Sequence, residues 1–161
     1  MKIRPIQPSD NPFIKQILQA DLKAAGLDIP GTAYYDKNLD TLCQFYKADV
    51  KCAYFVVVND QRQVVGGAGC AEFDPAKIIA ELQKLYLAKK ARGHRLSYQL
   101  VDLIKEFAKK ASYKQLYLET HHNLKAAIHI YSKAGFTRLS GPIEPAYIAA
   151  LWTVSTLWTC N

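Results

Sequence analysis

No apolar run in this 161-residue chain approaches the roughly 20 residues needed to cross a bilayer. The opening stretch, MKIRPIQPSD, has no apolar h-region, so no secretory leader is expected. Cys43, Cys52, Cys70 and Cys160 are scattered without CxxC or CxxH spacing, which argues against a disulfide frame and against a zinc site. They read as reduced thiols, and the expectation is a soluble, cytoplasmic protein. Repeats, linkers and low-complexity segments are also missing. Residues 1–161 are therefore read as one domain, a length that a single core can serve. With 50% apolar and 22% charged residues, the composition is that of a globule and not of a disordered tail.

The formal charge is +7, yet the cations are spread from Lys2 to Arg138. A nucleic-acid binder would gather them on one face with aromatics for stacking, so that class is not favoured. One local cluster stands out, Lys89, Lys90, Arg92, His94 and Arg95. It spans a single loop, which suits a small polyanion better than a duplex.

Periodicity sets out the elements. Lys2 to Ile6 can form a short strand. Asn11 then offers an N-cap before Pro12, and Phe13, Ile14, Ile17, Leu18 and Leu22 follow at helical spacing until Gly26. A looser helical stretch runs from Tyr35 to Ala48. The period changes at Ala53–Val58 and Gln63–Phe73, a predicted hairpin in which Gly66, Gly67 and Gly69 mark a bulge or a close approach. Ile78–Leu87 is a further strand, with Glu81, Gln83, Leu85 and Leu87 pointing one way and Leu82, Lys84 and Tyr86 the other. Leu96, Leu100, Leu103, Ile104, Phe107 and Ala111 give a helical stripe. A strand at Gln115–Thr120, a helix at Leu124–Ala134 closed by Gly135, and strands at Phe136–Leu139 and Ile148–Thr159 complete the order. A strand–helix–strand unit in the middle predicts one parallel pair inside a mostly antiparallel sheet, with a right-handed crossover. The last segment, alternately bulky and polar, can also pair across a homodimer.

The most informative segment is Leu85 to Ser97, where a strand enters a short basic loop and a helix opens directly from it. The first N–H groups of a helix have no internal partner and its dipole is positive there, so the loop can hold a phosphate. Arg92 and Arg95 would add charge-assisted bonds. A solvated basic turn is the plain alternative.

Three stretches, Glu81–Leu87, Arg92–Ser97 and Leu116–Thr120 with Asn123–Phe136, and the element order from Lys2 to Arg138 together resemble the GCN5-related N-acetyltransferase (GNAT) family, most closely from Ala80 to Phe136. Glu81–Leu87 looks like the fourth strand of that family. Arg92-Gly93-His94-Arg95-Leu96-Ser97 occupies the place of its pyrophosphate loop, Q/R-x-x-G-x-G/A. Leu116–Thr120 with Asn123–Phe136 looks like its fifth strand, fourth helix and closing A-G-F turn. The loop departs from the pattern, with Arg95 where the first motif glycine is usual and Ser97 where glycine or alanine is usual. If position 95 has helical dihedrals an arginine is tolerated; if the loop needs bare backbone, pyrophosphate binding weakens.

The resemblance implies an α/β (α+β) fold of about seven strands and four helices, with a splayed central parallel pair. It implies acetyl-CoA as donor, an amine acceptor, no metal, and direct attack in a ternary complex; no cysteine is placed to be a nucleophile. Main-chain groups of Leu85 and Leu87 would pair with the pantetheine arm. The N–H groups from Arg92 through Gly93, His94, Arg95, Leu96 and Ser97 to Tyr98 would face the pyrophosphate, with Asn123 and Tyr131 near the thioester. Tyr131 matches the family's general acid, its alternative being a core aromatic on the Leu124/Ile128 face. The developing oxyanion needs a donor, assigned to a main-chain N–H on the Leu82–Leu85 stretch. An alkylamine must lose a proton before attack. Glu81 is placed to take it, and a water relay from Glu81, Glu72 or Glu119 is an equal alternative. His121 and His122, adjacent on a loop, are expected to point apart and to bind no metal. Tyr34, Tyr35 and Tyr46, with the tail from Gly141 to Ile148, could shape the acceptor pocket. Two further functions stay open: a non-catalytic CoA-binding or regulatory module, and a basic interaction module without cofactor.

Overall fold

The computed structural model describes residues 1–143 and 153–160. Its strands are β1 (Lys2–Pro5), β2 (Ala53–Val58), β3 (Val64–Asp74), β4 (Ile79–Leu87), β5 (Gln115–His121), β6 (Thr137–Arg138) and β7 (Thr153–Thr159). They form a seven-stranded sheet of order β1-β2-β3-β4-β5-β7-β6. Neighbours are antiparallel except β4 and β5, the predicted parallel pair. Among the described residues there are four α-helices, α1 (Asn11–Ala24), α2 (Leu42–Lys47), α3 (Leu96–Lys110) and α4 (Lys125–Lys133). None is long and apolar enough to cross a membrane. The α/β (α+β) expectation therefore holds. For the strand expected from Ile148, residues 148–152 lie outside the described residues, as do residues 144–148 of the expected acceptor tail.

Helices cover both faces of the sheet because the strands are apolar on both. In β2, Tyr54 and Val56 face one way, against Ile14, Leu18 and Leu22 of α1 and Leu42 and Tyr46 of α2. Val57 faces the other way and joins Leu96, Leu100, Val101, Ile104 and Ala108 of α3. Tyr131 of α4 lies in this second core. The α3 stripe is thus centred one residue from expectation, on Val101 and Ala108, while Leu103 and Phe107 are only half-buried.

Two local readings are corrected by tertiary contacts. Asn11 is not the N-cap of α1, because a single 3-10 turn at Pro8–Asp10 precedes it and Asp10 takes the cap position. Asn11 is instead buried and clamps α2: its Nδ2 donates to Asp40 O and Gln44 Oε1, and its Oδ1 accepts from the Cys43 N–H. Each such bond adds about 1 kcal/mol, and an unpaired buried amide costs more, so this role outweighs capping. The stretch from Tyr35 to Ala48 is also not one helix. It divides into 3-10 turns at Ala33–Tyr35 and Leu39–Thr41 and the short α2.

The glycine-rich part of β3 is a close approach, as expected. A Cβ at Gly69 would lie 2.6 Å from Tyr46 Cζ and Oη, so the bare backbone makes room for the Tyr46 ring. That ring is 2% exposed and lies edge-on to Phe45 at 4.9 Å.

Candidate active site

The site begins where the parallel pair stops. β4 and β5 pair only from Ile79–Glu81 to Gln115–Tyr117, and beyond this the two strands diverge while each keeps its outer partner. A bulge in β4 follows directly on the end of this pairing. Between Gly67↔Tyr86 and Gly69↔Gln83 the register advances two residues on β3 and three on β4. Lys84 takes φ +50 there, and its carbonyl accepts from the Tyr54 hydroxyl at 2.9 Å. Strict alternation along β4 is therefore broken: Leu82 and Leu87, expected on opposite faces, share one core. The ammonium of Lys84 is held by Asp36 at 2.6 Å.

A cleft of about 1400 Å3 opens from this divergence. Glu81, Leu85, Leu87, Arg92, Gly93, Arg95, Leu96, Ser97, Tyr98, Asn123 and Tyr131 all line it. Of the expected ligand-binding residues only His94 is outside the lining; its Nδ1 lies 3.0 Å from the Arg92 carbonyl. Tyr35, Asp36 and Phe45 form part of the rim, whereas Tyr46 is buried behind the wall.

At one end of the cleft the chain turns into α3. The main-chain N–H groups of Gly93, His94, Arg95, Leu96 and Ser97 have no acceptor among the described residues; the next, on Tyr98, bonds back to Arg95 O. Five consecutive free donors at the positive end of a 15-residue helix make an anion cradle. The guanidinium of Arg92 is occupied within the chain, donating to Leu87 O at 3.2 Å and pairing with Asp21 of α1. Arg95 projects from the loop with its guanidinium 5.8 Å from the Tyr98 ring.

At the other end the candidate bases separate by environment. Glu72 is exposed and pairs with Lys51 at 3.4 Å. Glu119 accepts from the Tyr117 hydroxyl at 2.7 Å. Glu81 is partly buried in the cleft wall. Burial pushes its carboxyl up to about 7, with Glu119 and Asp36 adding to the rise and the Gln83 bond and Lys84 opposing it. Tyr131 is 6% exposed with its ring against Phe136, and burial pushes its phenol well above the ordinary value. Its hydroxyl has no partner among the described residues and is not sealed off, so it keeps its proton at neutral pH and can donate it into the cleft. Contrary to expectation the His121 and His122 rings stack, with centroids 4.4 Å apart. Burial and the neighbouring His122 lower the His121 pKa. No group of three or more His, Cys, Asp or Glu among the described residues could hold a metal.

Residues 14–136 match the sequence profile of the acetyltransferase (GNAT) family. The chain belongs to this family. It is 35% identical over 139 residues to the uncharacterized N-acetyltransferase YjgM of Escherichia coli strain K12, covering 85% of this chain and 82% of that protein. Among solved structures, a GNAT-family acetyltransferase from Staphylococcus aureus Mu50 superposes with a TM-score of 0.85 at 17% identity, covering 99% of both chains. YncA of Salmonella typhimurium, solved with its cofactor acetyl-CoA, superposes with a TM-score of 0.76 at 17% identity, covering all of this chain and 94% of that one. At such identities the structural likeness speaks for the GNAT fold.

Against the GNAT loop pattern, position 95 proves informative. Arg95 is the N-cap of α3 and has φ +58, ψ 15, the left-handed region that a glycine would occupy without strain. Neither helical dihedrals nor a collapsed loop resolves the departure: the arginine accepts the glycine's conformation and bears its cost. Arg95→Gly should accordingly raise unfolding stability by about 0.5–1 kcal/mol, measured by chemical denaturation, while Arg95→Ala should not. The interactions of Arg92 with Asp21 and of Gln83 with Tyr46 had no signal in the sequence. The first joins residues 71 apart and the second residues 37 apart.

Proposed function

We propose that this chain transfers an acetyl group from acetyl-CoA to a primary amine of a small molecule or protein, by direct attack in a ternary complex. The reading treats residues 1–161 as one acyltransferase domain acting in the cytoplasm. One observation carries it: a single cleft joins the free N–H donors of Gly93, Arg95, Leu96 and Ser97 to a carboxyl titrating near neutrality and a protonated tyrosine. The donor supplies a thioester carbonyl and a thiol that leaves better protonated.

The chain's own groups then have distinct tasks. The N–H groups from Gly93 to Ser97 hold the pyrophosphate, and the β4 edge at Leu85 and Leu87, unpaired by β5, receives the pantetheine amides as an added strand would be received. Asn123 stands beside the thioester. A main-chain N–H of the Leu82–Leu85 stretch, which runs into the bulge after Gln83, serves the developing oxyanion. Glu81 takes the proton from the attacking amine and Tyr131 gives one to the departing sulfur. No cysteine lines the cleft among the described residues, in keeping with direct attack.

Titration calorimetry with acetyl-CoA, dephospho-CoA and pantetheine tests the reading. Micromolar binding to acetyl-CoA, lost with pantetheine and weakened roughly tenfold by Arg92→Ala through a loosened loop, is expected. No binding at any salt concentration would withdraw the assignment. The occupied guanidinium of Arg92 and the strained Arg95 favour a second reading, a CoA-binding module without turnover. Binding without acetyl transfer across an amine panel would select it.

A further inference from the structure

Glu81 and Gln83 are two residues apart on β4, ahead of the bulge, and share a face. Gln83 Nε2 donates to Glu81 Oε2 at 2.6 Å. Behind it, the Tyr46 hydroxyl donates to Gln83 Oε1 at 2.8 Å. Oε1 of Glu81 has no hydrogen-bond partner among the described residues, and the side chain lines the cleft. The anchor of this relay is rigid: Tyr46 is wedged between Phe45, Tyr54 at 5.1 Å and the bare backbone of Gly69.

The relay also has a sense. A buried phenol that keeps its proton must donate it, and the acceptor offered is Gln83 Oε1. The amide then has only its N–H2 end to present to Glu81. Turned over, it would set an oxygen against a carboxylate oxygen, a repulsion in a poorly hydrated wall.

We propose that Gln83 and Tyr46 are positioning residues of the acyl-transfer site: Tyr46 fixes the direction of the Gln83 amide, and Gln83 holds one oxygen of Glu81 so that the other faces the amine. This inference rests on Glu81 as the base of the proposed transfer. The charged groups around Glu81 come from several elements, Glu119 on β5, Asp36 ahead of α2 and Lys84 on its own strand, with Glu72 of β3 further along the cleft wall. Burial, Glu119 and Asp36 all raise its titration. The Gln83 bond is the strongest opposing influence, and its loss leaves the carboxyl protonated to higher pH.

The test is carbon-13 NMR titration of the full chain labelled at glutamate, with the Glu81 carboxyl resonance assigned by its loss in Glu81→Gln. The wild-type midpoint is expected near 7. Gln83→Met, similar in volume and unable to donate, should move the midpoint up by about one pH unit. Tyr46→Phe, which releases the amide to turn over, should move it up by less. Acetyl-CoA affinity by calorimetry should be unchanged in both. A midpoint that stays in place in both variants, or moves down, overturns the proposal. If Gln83→Met does not fold, Gln83→Ala removes the same donor with a small side chain, and the same two outcomes apply. The two readings fail separately. Absent acetyl-CoA binding removes the transferase reading whatever Glu81 does, whereas retained binding with an unmoved midpoint removes only the relay.

Discussion

Tyr131→Phe is expected to lower acetyl transfer by roughly 10²–10⁴-fold while leaving acetyl-CoA affinity unchanged. The change deletes one oxygen from a side chain whose ring is buried against Phe136 and whose hydroxyl makes no bond to the described residues. Packing is conserved, so stability should move little. What disappears is a proton held firmly at neutral pH by burial and directed at the cleft. A departing thiolate without a donor leaves more slowly, so the loss should fall on kcat. The decisive comparison is turnover against calorimetric affinity in the same preparation. A variant that retained wild-type turnover would reduce Tyr131 to a core aromatic. Loss of turnover together with loss of binding would make it a structural support of the cleft.

The second large effect is expected for Glu81→Gln. Transfer should fall by roughly 10²–10⁴-fold, and the rise of rate with pH centred near 7 should vanish from the profile. The direction follows from the base being active only when ionised. Stability should change in the opposite sense. Burial lifts this carboxyl from its ordinary 4.5 to about 7, so between those values the folded chain holds a proton that the unfolded chain has released. Folding stability from this group is therefore full below pH 4.5 and lost as pH rises through 7, a loss on the order of 3 kcal/mol. Glutamine has no charge to bury and should make the protein more stable than wild type above pH 7, with little difference at pH 4. Denaturant unfolding at the two pH values measures this directly. Less activity with more alkaline stability would mark Glu81 as a group kept for chemistry at a cost to folding.

The parts of this molecule legible in the chain are those governed by neighbours in sequence. Apolar spacing located α1 and α3, the β-branched run at Ala53–Val58 located β2, and Gly26 and Gly135 end their helices with φ +70 and +84. The strand–helix–strand order is enough to require the parallel β4–β5 pair. Glu81 and Tyr131 were reached through the family resemblance, and the cleft does contain both. Periodicity could not show the bulge at Lys84, whose left-handed dihedral is set by pairing with β3 and by the Tyr54 hydroxyl. Nor could it assign Asn11, since the partners that draw it from capping into the α1–α2 contact lie some thirty residues away.

The division has a physical basis. Helix, strand and turn preferences, and the order in which they occur, act over a few residues and need no tertiary context, so the chain alone specified a mixed sheet flanked by helices and a basic loop that opens directly into a helix. Which carboxylate differs from the others is another kind of question. Glu72 and Glu81 are chemically alike, and only packing partly buries Glu81, ties it through Gln83 to Tyr46, and leaves Glu72 in solvent beside Lys51. Desolvation and hydrogen-bond direction depend on groups brought together from distant parts of the chain, and they exist only once the sheet has formed.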